Sequence, residues 1–458
     1  MPQFVRRSSM PVSPRALFDW HERPGAFERL TPGWQDTRVI SRTGGGITDG
    51  SRVVVEVPVL NGLIRQRMTM EHRDYVSGER FTDVQVKGPF ARWSHQHRMD
   101  TAPDGTSVLV DQIDFAMPLG ALGDAAAGWF VRRQLEQLFD FRHARTLADL
   151  ERHRIFADEP RLTVAITGGT GMIGTALTWF LRTGGHTVRW ITRRPDQSRG
   201  DIGWKPESGE LDPMAMQGVT AVVHLAGANV GERWTAEHKA EILQSRVNGT
   251  ATLVNAMRRM SKPPGVLISG SAVGYYGDTG SMVIDEASLK GGGFLADVCE
   301  RWENEALPAS DFGTRVAIAR TGVVLSPSGG ALAKMLPAFQ FGLGGPLGSG
   351  KQFMSWISLD DEVGALHHLL MHPQSSGVYN LTAPTPVANA DFGRALGAVL
   401  NRPAILPLPS FALSALFGEM AQATILSGQR VVPTRLSTEG FRFLQPLLEG
   451  ALRFELGR

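Results

Sequence analysis

The chain has 458 residues, about three times a usual domain length, so two or three domains are expected. Forty-seven Lys and Arg against 45 Asp and Glu leave a net charge of +2, which argues against a nucleic-acid binder carried by bulk charge. At 42% hydrophobic and 20% charged, the composition excludes a disordered chain and supplies an ample core. One cysteine, Cys299, excludes an internal disulfide and a multi-cysteine metal site. No apolar run reaches the roughly 20 residues of a spanning helix. The start, MPQFVRRSSMPVSPR, lacks the apolar centre of a secretory signal, so the cytoplasm is the expected location. There are 22 Phe and 10 Trp but only four Tyr: Tyr75, Tyr275, Tyr276 and Tyr379.

Residues 1–155 read as strands closed by one long helix. Strands are expected over Arg52–Val59, Arg80–Val86 and Ser107–Phe115, separated by glycine and proline punctuation. From Asp124 to about His153 the pattern turns helical, with Val131, Leu135, Leu138 and Phe139 forming an apolar stripe. The charged stretch Glu151–Arg161 is the expected linker. Residues 162–400 alternate β-branched runs (Leu162–Thr167, Thr187–Thr192, Ala221–Leu225, Val266–Ser269, Thr314–Ala319) with helical segments. That alternation predicts a doubly wound parallel sheet, an α/β fold. Asp360-Asp361 are expected to cap a helix over Glu362–Leu370. Residues 401–458, rich in Leu, Ala and Phe, predict a small helical appendage.

The strongest chemical signal is LTVAITGGTGMIG, where a strand runs into Gly168, Gly171 and Gly174 and then a helix over Ala176–Leu181. Such a loop lets the backbone approach a pyrophosphate while the helix N-terminus supplies N–H groups. Thr170, Met172 and Ile173 complete it, and Leu225, Ala226, Gly227 and Ser269 are expected to border the same cofactor. The second strand ends in Thr192-Arg193-Arg194 rather than in an acid, and Asp196 lies beyond Pro195. A guanidinium suits a 2′-phosphate, so NADP is preferred over NAD, with Arg193 on that phosphate.

TGGTGMIG, HLAGANV (His224–Val230), SRVNGT (Ser245–Thr250) and SGSAVGYYG (Ser269–Gly277) resemble the extended short-chain dehydrogenase/reductases. Together with GGALAKMLPAF, GLGGPLGSG, SWISLDD and GQRVVPTRLSTEGFRF they resemble, more narrowly, the atypical NAD-dependent epimerase/dehydratase subgroup once labelled as cell-division inhibitors. That subgroup carries a C-terminal domain of unknown function. The resemblance implies an NAD(P)-dependent epimerase, dehydratase or reductase acting on a small molecule.

The wider superfamily works through Ser, Tyr and Lys, the last two spaced Tyr-x-x-x-Lys so that the ammonium lowers the tyrosine pKa. Four residues after the four tyrosines stand Glu79, Thr279, Gly280 and Ala383, so the pair is absent. Ser271 matches the superfamily serine, and Phe294 stands where the tyrosine is expected. Three readings stay open. Tyr275, Tyr276, Glu286, Asp297 or Lys351 could supply the proton; water could be the acid; or the chain binds NADP without turnover. Ser271, Tyr275 and Tyr276 are the catalytic candidates, the tyrosines also being readable as turn packing. Cys299 reads as a small core residue, and Gly342–Gly350 either as a lid or as a surface loop.

PGAFERLTPGW, KGPFARWSHQHRM and DFAMPLGALG (Asp114–Gly123), with the long helix, resemble the START-like (SRPBCC) ligand-binding superfamily. That resemblance implies a sheet curled around its last helix and an apolar ligand, with Phe27, Trp34, Phe90, Trp93 and Phe115 as lining or as plain core. His95 and His97, at i and i+2, share a strand face and could share a metal. No third ligand stands at a diagnostic spacing, so hydrogen-bonded strand histidines and no metal are preferred. The oligomeric state is not legible.

Overall fold

The computed structural model describes residues 3–59, 64–118 and 120–458, without the side chains of residues 59 and 121–127. Leu119, inside the DFAMPLGALG motif, lies outside the described residues. The chain divides into two compact units, one built on Met1–Glu159, the other on Pro160–Leu181 and His186–Leu456.

The first unit begins with β1 (Gln3–Met10), α1 (Pro14–Glu22) and α2 (Ala26–Arg29). Six strands follow: β2 (Arg38–Thr43), β3 (Arg52–Val59), β4 (Ile64–Val76), β5 (Arg80–Lys87), β6 (Arg92–Thr101) and β7 (Ser107–Ala116). The closing helix is α3 (Ala121–Ile155). Ser13 starts α1 by accepting the Ala16 N–H, and Pro14 fits the first helical position, where no backbone donor is needed. The sheet is antiparallel throughout, ordered β1-β7-β6-β5-β4-β3-β2. The helical stripe expected on α3 is the buried one: Leu135 and Phe139 pack with Phe4, Ile113 and Phe115, and Val131, Leu138, Phe90 and Trp93 close over them. Leu17, Phe18 and Trp20 of α1 join Phe81, Met99 and Leu109 in the other half of the core. Trp34 packs edge-on to Phe141, and the Arg42 guanidinium lies over Phe27.

The second unit opens with β8 (Thr163–Thr167), α4 (Met172–Thr183), β9 (Thr187–Thr192), β10 (Ile202–Lys205), β11 (Glu210–Leu211) and β12 (Ala221–His224). It continues through α5 (Ala236–Arg258), β13 (Val266–Ala272), β14 (Val283–Ile284), α6 (Phe294–Ala306), β15 (Arg315–Thr321), β16 (Val323–Leu325) and α7 (Gly330–Gln340). Then come β17 (Phe353–Met354), β18 (Trp356–Ser358), α8 (Leu359–Met371), β19 (Gly377–Leu381), β20 (Val387–Ala388) and α9 (Asn389–Leu400). The last elements are α10 (Ser410–Phe417), β21 (Arg430–Val431), α11 (Thr434–Thr438) and α12 (Leu448–Leu456). The main sheet runs β11-β10-β9-β8-β12-β13-β15-β19, parallel except where β11 turns back on β10. Its central strands are covered on both faces, which is why they read as unbroken apolar runs. Strand order reverses between β8 and β12, opening a crevice at their carboxyl ends.

One sequence expectation changes here. The helix predicted from Glu362 begins at Leu359, and its cap is Ser358, whose Oγ accepts the Asp361 N–H. Serine sits at the extended residue before the helix, whereas Asp360 and Asp361 already lie in its first turn. The Asp361 carboxylate instead accepts the Leu444 and Gln445 N–H groups. The C-terminal segment, read as a small helical appendage, carries the helices α10, α11 and α12 and belongs to the second unit. β21 pairs with β14, and Leu452 of α12 shares a core with Phe392 and Leu396 of α9.

Candidate functional site

The glycine loop joins β8 to α4 at the strand-order reversal. Gly168 adopts φ +69°, and a Cβ there would lie 3.0 Å from the Leu225 carbonyl. A Cβ on Gly174 would lie 2.3 Å from Gly168 O, and one on Gly169 would lie 2.6 Å from the Trp190 ring. Glycine is therefore required for the loop to fold against itself and against the end of β12. Thr170 and Gly171 are exposed at its mouth, and the first turn of α4, Met172–Gly174, brings backbone N–H groups and the positive dipole end to it. These residues fit a dinucleotide pyrophosphate.

The loop after β12 is held by side chains of the SRVNGT motif. Thr167 Oγ1 accepts the Leu225 and Ala226 N–H groups, Ser245 Oγ accepts that of Ala228, and Arg246 donates to the Ala228 carbonyl. A Cβ on Gly227 would lie 2.9 Å from the Arg246 guanidinium. His224 is buried between Thr167 Oγ1 (2.7 Å) and Thr250 Oγ1 (3.0 Å). Burial, with Arg246 adding to it, lowers its pKa to about 4, so it is a neutral strut. At the end of β9, Arg193 is 75% exposed and 3.7 Å from Glu207. Asp196 is taken up locally, accepting the Ser198 N–H and Oγ–H.

A buried polar network lies past β13. Ser271 Oγ donates to Glu303 Oε1 (2.6 Å), which Arg320 grips in a two-pronged pair at 2.8 and 2.7 Å. Arg320 also reaches the Tyr276 hydroxyl (3.0 Å), which donates to Asn380 Oδ1 (2.8 Å). The Arg320 guanidinium carbon also lies over the Tyr275 ring, 3.3 Å from the ring centroid. Burial raises the Tyr276 pKa, Arg320 pulling the other way, and Tyr276 is 1% exposed. The register explains the meeting, since Ser271 and Arg320 are direct partners across β13 and β15. Glu303 and Arg320, absent from the sequence candidates, complete the network. The mutual spacing of these residues along the chain carries no motif.

The helical face turned to β13 carries Leu295, Cys299 and Glu303, at i, i+4 and i+8. Phe294 does not take the tyrosine's place: it packs against Trp234, 5.0 Å between ring centres. Leu295 lies beside Gly274, and Cys299 Sγ faces the Ala272 carbonyl at 3.7 Å. Burial raises the Cys299 pKa, as suits a core thiol. Ser269 is fully buried in β13. Glu286 accepts the Asn380 N–H, Asp297 pairs with Lys290 at the surface, and Lys351 is exposed. The Gly342–Gly350 segment is pinned rather than free: Gly344 O accepts the Leu406 N–H, and Gly348 N–H donates to Leu408 O.

The parallel sheet reversing at β8 and β12, the glycine loop there and the serine of β13 define a Rossmann-type domain of the short-chain dehydrogenase/reductase superfamily. The chain matches the NAD dependent epimerase/dehydratase family over residues 164–382 and a domain of unknown function over 408–455. Residues 10–141 match the polyketide cyclase / dehydrase and lipid transport family. An epimerase family protein of Mycobacterium bovis is 48% identical over 64% of this chain and 98% of its own length. Human epimerase family protein SDR39U1 is 38% identical over 64% of the chain and 99% of its own. A crystal structure of human SDR39U1 with NADPH superposes with TM-score 0.60 and 37% identity, covering 64% of this chain and 99% of that one. A structure described as a nucleoside-diphosphate sugar epimerase from Corynebacterium glutamicum covers 99% of this chain and 90% of its own, with 31% identity and TM-score 0.79. The chain belongs to this NAD(P)-dependent epimerase family and carries an SRPBCC-type N-terminal domain. Among the described residues no helix is long and apolar enough to cross a membrane.

Proposed function

We propose that the second unit is a cytoplasmic NADP-dependent oxidoreductase of epimerase type, acting at a secondary hydroxyl, or the matching carbonyl, of a small molecule. The observation that carries this reading is the Ser271–Glu303–Arg320 network on the β13–β15 pair of the sheet that carries the glycine loop. Gly168, Thr170, Gly171 and the first turn of α4 would hold the pyrophosphate, and Leu225, Ala226 and Gly227 would border the adenosine side. Arg193 would meet a 2′-phosphate, a preference in keeping with the NADPH in the human relative's structure. The nicotinamide supplies hydride exchange when bound.

Ser271 has one proton and gives it to Glu303, so its oxygen offers lone pairs to a substrate. That suits a substrate hydroxyl, whose proton passes to Ser271 as the serine proton moves to Glu303. Arg320 keeps the carboxylate oriented and stabilises its charge. Tyr275 and Tyr276 act as positioning residues by clamping Arg320. The match of the first unit to lipid-transport proteins supports an apolar small-molecule ligand there.

A second reading, an NADP sensor without turnover, draws support from the burial of Ser271 and Tyr276, 5% and 1% exposed. Calorimetric titration with NADPH, paired with NADP⁺ reduction across a panel of sugar nucleotides and alcohols, separates the two. Gly171→Val is expected to abolish binding, and unchanged binding would remove both readings. Ser271→Ala and Glu303→Gln are expected to keep binding and lose turnover by about 10²-fold or more. Binding without turnover on any substrate leaves the sensor. Arg193→Gln is expected to narrow the preference for NADPH over NADH.

A further inference from the structure

The interior of the first unit holds a cluster of imidazoles and carboxylates that the epimerase chemistry does not use. Four neighbouring strands build it in two cross-strand rows. His72, Asp83 and His95 stand side by side on β4, β5 and β6, and His97 faces Asp111 across β6 and β7. Asp111 Oδ1 lies 2.8 Å from His95 Nε2 and 2.7 Å from His97 Nδ1, while its Oδ2 lies 2.7 Å from His143 Nε2 of α3.

One carboxylate thus engages one nitrogen of each strand imidazole. The other nitrogens, His95 Nδ1 and His97 Nε2, turn to a single oxygen of Asp83, at 3.9 and 3.3 Å. With His95 Nε2 bonded to Asp111, the His95 Nδ1 lone pair turns to the same Asp83 oxygen that His97 Nε2 reaches, and a cation among these three atoms would engage all of them. His72 Nδ1 lies 2.5 Å from Asp83 Oδ1, yet His72 Nδ1, Asp83 Oδ1 and His97 Nδ1 are all buried without a hydrogen bond of acceptable geometry. Among the described residues, the side-chain hydrogen-bond and ion-pair partners of the two carboxylates are imidazoles. Phe81 stacks on His97 at 4.2 Å, and Phe139 stands edge-on to His95 at 5.2 Å, fixing both rings in an apolar wall.

We propose that Asp83, His95 and His97 form a binding site for a divalent first-row transition metal ion of the zinc or ferrous-iron class, with Asp111 orienting both imidazoles. Their three donor atoms all lie within 4.8 Å of one another. The shorter edge matches the about 3.3 Å edge of a tetrahedron with bonds of about 2.0–2.1 Å. Two histidines and one carboxylate leave coordination positions open, the pattern of catalytic rather than closed structural sites. The Asp83 side chain is 21% exposed, which gives an ion a way in, whereas His95 and His97 are buried.

Full-length protein stripped with a chelator and titrated with cobalt(II) is the test. One equivalent is expected to bind, with visible d–d bands from nitrogen and oxygen ligands, and zinc is expected to displace it. His95→Gln/His97→Gln is expected to lose the bands, and Asp111→Asn to weaken binding about 10–100-fold. Far-ultraviolet circular dichroism verifies that the variants are folded. A wild-type chain that takes up neither cobalt nor zinc stoichiometrically overturns the proposal without any variant. So does unchanged binding in folded His95→Gln/His97→Gln, which would put the ion elsewhere, as at His368, His372 and Glu439.

Discussion

Glu362, in the first turn of α8, is the residue whose ionisation the fold resists most plainly. It is fully buried; among the described residues its Oε1 accepts the Thr321 hydroxyl and its Oε2 has no hydrogen-bond partner. Burial pushes its pKa up from 4.5 to about 8, the Thr321 bond opposing weakly. A raised acid pKa means that the neutral form is the one the fold favours. The stability it contributes is complete below about pH 4.5 and is lost as pH rises through about 8. Glu362→Gln, which keeps the Thr321 acceptor and cannot ionise, is expected to flatten the decline in urea midpoint between those values. An unchanged pH profile would show that Glu362 ionises freely in the native state. Sequence could not reveal this residue, because SWISLDDE reads as a polar helix start and nothing in it reports that α8 is buried from Asp360 to Met371. The same limit hid Glu303 and Arg320, which lie 32 and 49 residues from Ser271 in sequence and meet it only through the β13–β15 pairing and α6. The glycine loop was legible residue by residue, because close backbone approach leaves its mark in the chain itself.

Among the elements, the parallel strands were the most readable. Val164–Thr167, Ala221–His224 and Val266–Ser269 are buried on both faces, so their apolar runs need no partner to be recognised. The C-terminal elements were less readable, since β21 and α12 are short and depend on distant neighbours, β14 and α9, for pairing and burial. Leu452 of α12 is fully buried against the side chains of α9. Leu452→Ala is expected to cost about 2–5 kcal/mol, read as a lower urea midpoint for the second unit. A midpoint within error of the wild type would mean that α12 contributes no core.

Across the whole molecule, two compact units with separate cores predict two unfolding events. NADPH in excess is expected to raise the melting temperature of one and zinc that of the other, since each ligand stabilises only the unit that binds it. Each shift corresponds to about 2.7 kcal/mol when the ligand exceeds its Kd a hundredfold. Scanning calorimetry with each ligand alone reads this directly, and a single transition moved by both would reject the assignment. The change in texture near residue 155 lies close to where the first unit passes into the second, at Glu159 and Pro160. The pairing of His95 and His97 was legible as a shared strand face, but their carboxylate neighbours Asp83 and Asp111 were not, because they come from other strands.

The two cross-strand rows also bear on how the sheet assembles. Side chains alternate from face to face along a strand, so a slip of one residue at β5 would turn Asp83 outward, and a slip at β6 would remove both imidazoles together. An ion gathered from two strands therefore recognises one register among neighbours of similar apolar content. It would act as a proofreader of strand pairing, and chains synthesised under metal starvation would be the ones to accumulate mispaired sheets.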